Sequence, residues 1–343
     1  MKALFEAIQR TDTNRFNMVL TVLDGENIGE KVLTSDGTIL WESQEHGFFR
    51  GFQDEIKALD DSGVIRLGGH EVFCDVLGNE KQIVICGGGH VSIPVITLGV
   101  MMGCEVTVLE DRPLFADNAR RAGATKVICA PFEEGLEQVK GNADTYFVIV
   151  TRGHRYDQIC LEKIARKEHA YIGMIGSRRR TTLVKQILAE KGIDKNVLDS
   201  VYTPIGLDIG AETPVEIAVA IMAEIIEVKN KKKRTCGYTK EIMQAVLNPE
   251  SGSESKVMAT IVKRKGSAPQ GVGIKMLVLR SGTCIGTIGG GCMEANIMQK
   301  ALLMASGNGP EAVICKVDMT GADAEEEGMV CGGVVSVLLE RVK

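Results

Sequence analysis

The sequence has no apolar run approaching the roughly 20 residues that a membrane-spanning helix needs, so no membrane span is expected. It has no basic excess. Forty Lys and Arg against 45 Asp and Glu leave a net charge of −5, which argues against a general nucleic-acid binder with its basic face. An apolar leader is missing too: Met1 to Arg10 reads as the opening of an amphipathic helix, and the expected location is cytoplasmic. The ten cysteines are then expected to be reduced. None is spaced C-x-x-C, so neither a structural zinc site nor an iron–sulfur cluster is expected. What is present, 343 residues with 44% hydrophobic and 25% charged, is globular in composition and too long for one ordinary core. Two or three domains are expected.

The middle of the chain alternates strand and helix. Lys81-Gln-Ile-Val-Ile-Cys86 is an apolar β run, Gly87-Gly-Gly89-His90 a turn, and a helical pattern follows to Met102. Glu105 to Glu110 is the next strand. This order is that of a nucleotide-binding βαβ unit. Gly87 permits the tight turn, Gly89 lets backbone approach a phosphate, and Glu110 is placed for ribose hydroxyls. The third glycine position holds Ser92, and Pro94 is tolerated only because it falls in the first helical turn. The other reading is a βαβ unit that uses glycine for close packing alone.

The alternation continues through a strand at Asp144–Val150, a helix over Gln158–Glu168 and a strand at Ala170–Ile175. Gly176-Ser177 then opens a helix that Gly192 stops. Arg178-Arg179-Arg180 in its first turn opposes the helix dipole, which points either to a nearby anion such as phosphate or to a solvated basic turn. In the loop Thr151 to Asp157, His154 and Asp157 are an acid/base pair or pin the loop, and pinning is favoured. Thr213-Pro214-Val-Glu216 is a helix cap after the loop Pro204–Glu212, and Asn230-Lys-Lys-Lys-Arg234 reads as a solvated linker.

Near the end, Gly289-Gly290-Gly291 runs into Cys292 just before a helical pattern, with Glu294 two residues on. A thiol at a helix N-terminus favours its thiolate form. Cys331, followed by Gly332 and Gly333, is its expected partner. Together these thiols hold a soft metal or carry sulfur, or else they are small buried apolar residues. Glu294 orients the site or caps the helix.

The two ends resemble one another. Helix, strand and a segment Gly29–Thr38 near the start align with one gap to helix, strand and Gly273–Thr283 near the end. The tails align as Gly69–Val76 against Gly333–Glu340. The first copy has no counterpart of Cys292 or Cys331 and reads as a degenerate duplicate. The predicted class is therefore α/β: a Rossmann-like parallel-sheet domain over 79–229, flanked by two smaller α+β domains over 1–78 and 236–343.

Gly266-Ser-Ala-Pro-Gln-Gly271, Gly286-Thr-Ile-Gly-Gly-Gly-Cys-Met-Glu294 and Gly328-Met-Val-Cys-Gly-Gly333 resemble the xanthine dehydrogenase accessory protein family (XdhC/CoxI-like). So do Gly87-Gly-Gly-His90, Glu110-Asp-Arg-Pro113, Tyr171-Ile-Gly-Met-Ile-Gly-Ser-Arg-Arg179 and Pro204–Pro214 in the Rossmann-like part. Members commonly place the Gly-Gly-Gly-Cys domain first, whereas here it comes last. The resemblance implies a maturation factor or chaperone rather than a catalytic subunit, for which the chain is too short. Such a factor binds molybdenum cofactor (molybdopterin), supports its sulfuration and delivers it to xanthine dehydrogenase or a related molybdenum hydroxylase. A cysteine desulfurase partner and a homodimer are expected with it. The candidate cofactor set is Ser267, Gly289, Gly290, Gly291, Cys292, Cys331, Gly332, Gly87, Gly89, His90, Glu110, Ser177 and Arg178, with Cys292 and Cys331 as possible molybdenum ligands. The alternative is an NAD(P)-dependent oxidoreductase using Gly87, Gly89 and Glu110 for its cofactor and His154 as acid.

Overall fold

The computed structural model describes residues 1–231, 236–248, 255–268, 270–319 and 333–342. Helix α1 (Lys2–Gln9) leads into β1 (Asn17–Val22), β2 (Lys31–Ser35) and β3 (Thr38–Glu42). A short 3-10 helix (Phe48–Phe52) runs into α2 (Gln53–Lys57), and the hairpin β4 (Gly63–Leu67), β5 (His70–Val76) follows. The sheet is antiparallel with order β3-β2-β1-β5-β4. β1 and β2 are buried along their whole length. Their two faces serve two cores, one beneath Phe49 and Ile56 and the other beneath Leu4 of α1.

The middle segment is a parallel sheet with helices on both faces. Its elements are β6 (Gln82–Cys86), α3 (Ser92–Met101), β7 (Glu105–Glu110), α4 (Pro113–Arg121), β8 (Lys126–Cys129) and α5 (Phe132–Glu137). They continue with β9 (Thr145–Ile149), α6 (His154–Ile164), β10 (Tyr171–Met174), α7 (Arg178–Glu190), α8 (Lys195–Ser200) and α9 (Pro214–Lys231). The order β10-β9-β6-β7-β8, all parallel, makes β6 the central strand. Alternate residues feed opposite cores: Ile83 and Ile85 pack with α3 and α9, Val84 and Cys86 with α5, α6 and α7. That double burial is why these strands read as continuous apolar runs. The chain reverses direction across the sheet between β6 and β9, and ligands in open α/β sheets bind outside the carboxyl ends of such strands. The predicted cap of α9 is formed: the Glu216 carboxylate accepts from the amides of Glu212 and Thr213, and the Glu216 amide donates to Thr213 Oγ1. Most of the basic linker after Lys231 lies outside the described residues.

The last segment repeats the first. Helix α10 (Lys240–Leu247) precedes β11 (Lys256–Lys265), β12 (Lys275–Leu279) and β13 (Cys284–Gly286). Then come α11 (Gly291–Ala305), β14 (Ala312–Asp318) and β15 (Val334–Val342). The order β13-β12-β11-β15-β14 matches the first sheet strand for strand. The registers make the equivalence residue by residue. Thr21 faces Lys31 as Thr260 faces Lys275, and Val19 faces Asp75 as Met258 faces Glu340. Asp75 therefore corresponds to Glu340, one position away from the tail alignment read from sequence. A slip of one residue exchanges the two faces of a strand, so the register decides which residues of β5 and β15 meet.

The ends do not form two separate domains as expected. Met1–Gly78 and Lys233–Lys343 make one compact unit, and Asn79–Lys232 is the second. Inside the first unit the repeats exchange partners. Lys31 Nζ lies 2.8 Å from Glu340 Oε1 and donates to Thr21 Oγ1 at 2.9 Å. Lys275 Nζ pairs with Asp75, donates to the Gly273 carbonyl at 3.0 Å and sits 4.2 Å from the centre of the Tyr238 ring. All four charged side chains are at least nine-tenths buried. Burial, partly offset by Glu340, holds the Lys31 ammonium below its ordinary range. Among the described residues no helix is long and apolar enough to cross a membrane.

Removing one member of a buried pair strands the other charge. Lys275→Met alone is expected to cost about 3–5 kcal/mol in urea unfolding, and most of the loss is expected to be recovered when Asp75→Leu is added.

Candidate functional site

In the first unit the glycine-rich loop connects β13 to α11. Gly289, Gly290 and Gly291 have φ of 132°, 70° and 65°, a succession that side-chain-bearing residues rarely adopt. A Cβ on Gly290 or Gly291 would meet nothing within 4 Å, so these two serve backbone conformation and leave open surface rather than filling a packing gap. Glu294 holds the loop. Its Oε2 accepts from Thr287 Oγ1 at 2.5 Å and from the amides of Ile288 and Gly290 at 3.0 and 3.1 Å. Burial would raise this carboxyl, but the bonds from Thr287, Gly290, Ile288 and Gly289 outweigh it and keep it below its usual range. These bonds tie the loop residues Thr287 and Ile288, and the amide of Gly290 just before α11, to one carboxylate.

Cys292 is the second residue of α11 and is exposed. The expected helix N-terminal placement is met. Ser267 is exposed on the loop after β11, and its carbonyl abuts the start of β15, where a Cβ on Gly333 would collide with it. Cys331 and Gly332 lie outside the described residues. Among the described residues no group of three or more His, Cys, Asp or Glu side chains could hold a metal ion. Most other thiols are closed off. Burial pushes Cys74 up to about 12 and raises Cys104, Cys160, Cys284 and Cys315. Only Cys129 joins Cys292 as exposed among the described cysteines.

In the second unit the turn after β6 separates its glycines by role. A Cβ on Gly87 would fall 2.5 Å from the Val150 carbonyl, and one on Gly88 2.8 Å from that of Phe115. Both are required by packing. Gly89 has nothing within 4 Å and faces open space, with exposed His90 beside it. Ser92, at the third glycine position of the fingerprint, is fully buried and donates to the Gly87 carbonyl at 2.6 Å.

The carboxylate expected to meet a ribose is sealed. Glu110 is 0% exposed. Its Oε2 accepts from the Gly88 amide at 2.7 Å and Arg112 Nη2 at 3.1 Å, and its Oε1 from the Arg112 amide at 3.1 Å and Nε at 2.8 Å. Its acceptor sites are thus filled from within the protein. Glu110 fastens the glycine turn to the end of β7, which corrects the ribose assignment.

Around it is a network that sequence reasoning misses. Arg152, after β9, forms a two-pronged pair with Asp111 and donates to Tyr156 OH at 2.6 Å. The guanidinium holds the Asp111 carboxyl down at about 2. Glu224, on the apolar face of α9, accepts from Tyr171 OH at 2.5 Å and from the Gly206 amide at 3.0 Å, anchoring the loop before α9. A lone acid among Ile221, Met222, Ile225 and Val228 was the available signal.

His154 and Asp157 are both in the first turn of α6, His154 exposed and Asp157 buried. Thr151 Oγ1 and Asp157 Oδ1 are 2.6 Å apart, and Thr151 Oγ1 also donates to the Gly153 carbonyl at 3.0 Å. The single hydroxyl proton is shared between these two acceptors, and the same oxygen accepts from the Gly153 amide at 3.3 Å. Burial raises Asp157 to about 6, with Thr151 and the charges of His154 and Arg180 pulling the other way. This geometry is that of a loop pin.

An inserted Rossmann-type unit and a doubled α+β unit with a glycine loop leading into an exposed thiol define a two-module architecture. Residues 83–225 match the XdhC Rossmann domain, and residues 251–315 match the XdhC and CoxI family. The chain belongs to the XdhC and CoxI family. It is 30% identical over 164 residues to the uncharacterised protein YqeB of Escherichia coli (strain K12), covering 48% of this chain and 30% of that protein. It is 29% identical over 160 residues to a probable xanthine dehydrogenase subunit of Bacillus subtilis (strain 168), covering 47% and 46%. The chain thus spans less than half the length of either curated relative. A crystal structure of a xanthine dehydrogenase from Bacillus halodurans shares the fold, with a TM-score of 0.51 at 22% identity over 64% of each chain.

The raised Asp157 carboxyl has a consequence for stability. The folded state keeps this proton to about pH 6, whereas the unfolded chain releases it near 3.8. The contribution is full below pH 3.8 and lost as pH rises through about 6. Its size is up to about 3 kcal/mol. Asp157→Asn is expected to remove this portion of the pH dependence, as read by urea unfolding across that window.

Proposed function

We propose that the protein is a maturation factor for xanthine dehydrogenase or a related molybdenum hydroxylase, binding molybdenum cofactor and supporting its sulfuration and delivery. The observation that carries this reading is the exposed Cys292 at the start of α11, reached through glycines whose backbone stands open. Family membership supports the accessory role. The donor set suits the cofactor. Open backbone at Gly290 and Gly291, its Gly290 amide held by Glu294, would leave room for the phosphate or pterin to approach, and a thiol would meet its soft metal or a transferable sulfur. The cofactor when bound would supply the molybdenum centre of the client enzyme. The protein's own residues position it: Glu294 fixes the loop, and Cys292, with Cys331 proposed as its partner, would hold metal or accept sulfur from a cysteine desulfurase. The alternative, a nicotinamide-dependent oxidoreductase, loses its ribose-binding carboxylate, because Glu110 is buried and occupied.

Cys292→Ala is expected to leave stability within about 0.5 kcal/mol, as exposed substitutions do. It is expected to abolish both cofactor retention, read as molybdenum content of protein from molybdenum-replete cells, and activation of the client enzyme. Full retention by the variant would refute the assignment. In the native protein Cys129 and Cys292 are expected to alkylate first among the described cysteines, with Cys292 faster than a free thiol.

Gly89→Val provides a separate test of the Rossmann-type turn. Since only Gly89 of the three glycines faces open space, this change is expected to preserve the fold and to abolish binding of a nucleotide in calorimetry. Absence of any nucleotide binding by the wild type would leave packing as the role of the whole turn.

A further inference from the structure

The first turns of α6 and α7 lie at the carboxyl ends of neighbouring strands β9 and β10 and line one groove of about 390 Å³. His154, Arg155 and Gln158 come from α6, and Ser177, Arg179 and Arg180 from the start of α7. Arg178, singled out in the sequence, is not among the lining residues. Neither helix has a side-chain cap, even though Ser177 occupies the capping position of α7. Arg155, Arg179 and Arg180 are exposed, and their side chains make no hydrogen bond or ion pair with other described residues. The acid whose charge reaches His154 and Arg180 is Asp157, which is buried and committed to Thr151. Cationic groups thus gather where two helix dipoles already favour negative charge.

Further along α7 the lining turns apolar. Leu183 is 56% exposed, and Val184 and Ile187 lie beside it. A groove of this volume exceeds what an inorganic anion fills and lies in the range of small-molecule sites, which combine apolar walls with a few convergent polar groups.

We propose that this groove binds an organic phosphate monoester, the phosphate held by Arg155, Arg179, Arg180 and the two uncapped helix starts, and the organic part resting on Leu183. The site is separate from the Gly87–Gly89 turn and does not rest on the molybdenum cofactor reading. Nucleotides and pterins both supply this chemistry.

The test titrates the full chain, labelled with 15N-arginine, with inorganic phosphate, 5′-AMP and a pterin alkyl phosphate. Inorganic phosphate is expected to shift the Nε signals of Arg155, Arg179 and Arg180, and an organic monoester is expected to bind at least about tenfold more tightly. Whichever monoester binds better identifies the source. Arg179→Gln with Arg180→Gln is expected to weaken all three ligands about tenfold or more, the scale of a lost charge-assisted bond. Leu183→Ala is expected to weaken the monoesters while leaving inorganic phosphate unchanged. Arg121→Gln, an exposed change at the far end of α4, controls for net charge and is expected to have no effect. Absence of phosphate-induced shifts at the three arginines, or equal weakening by Arg121→Gln, would overturn the proposal. Inorganic phosphate binding as tightly as both monoesters would overturn the organic part.

Discussion

Two buried lysine–carboxylate pairs govern how the ends of this chain come together. Each lysine extends from the second strand of one repeat, and each acid from the last strand of the other. Neither repeat can neutralise its own lysine through these pairs, so each half is incomplete without its counterpart. Burying charge gains little stability over a well-packed apolar interface of the same shape, but it penalises misregistration heavily. The pairs therefore act chiefly on register, fixing which faces of the two sheets meet. With that face settled, the opposite face of the second sheet is left to α11, and α11 carries the glycine loop and Cys292.

The repeat also shows how one fold can retain an architecture while discarding a site. Between its third and fourth strands the first copy has only a 3-10 helix and the short α2, where the second has the glycine loop and α11. The aromatic side chains of Phe48, Phe49 and Phe52 close that region by packing on one another. The core beneath the sheet is preserved in both copies, because Val72 and Cys74 do the work done by Val337 and Leu339.

Much of this was legible from sequence because it rests on local periodicity. The parallel strands announced themselves as apolar runs, the duplicated segments as a shared order of elements, and the α9 cap as Thr213, Pro214 and Glu216. What was not legible depends on which atoms meet across long separations. Glu110 sits where a ribose-binding acid is expected, yet its surroundings, Arg112 and the Gly88 amide, turn it inward. The three glycines of the turn look alike in sequence, and only the neighbouring Val150 and Phe115 carbonyls separate two packing glycines from one open one. The alignment of β5 with β15 was off by a single residue, since two glycine-flanked apolar tails carry no mark of their hydrogen-bond register. The crossed pairing of Lys31 with Glu340 and of Lys275 with Asp75 is invisible to any pattern within one segment.

Placing the parallel-sheet unit inside the duplicated one has a consequence for synthesis. Lys275 meets Asp75 200 residues away along the chain, so the first repeat emerges from the ribosome long before its partner exists. During that interval its Lys31 and Asp75 have no cross-repeat charges to meet, and Leu23 and Phe73 lack the Val262 and Leu338 side chains they pack against. The inserted unit has all its strands contiguous and folds as soon as it is made, as domains generally do during synthesis. Once folded, it replaces a long flexible loop by a compact body bridging the two halves. The growth of closure entropy with loop length, about 0.6 kcal/mol per doubling, then no longer applies to most of the intervening chain. The insertion thus converts a distant encounter into a tethered one.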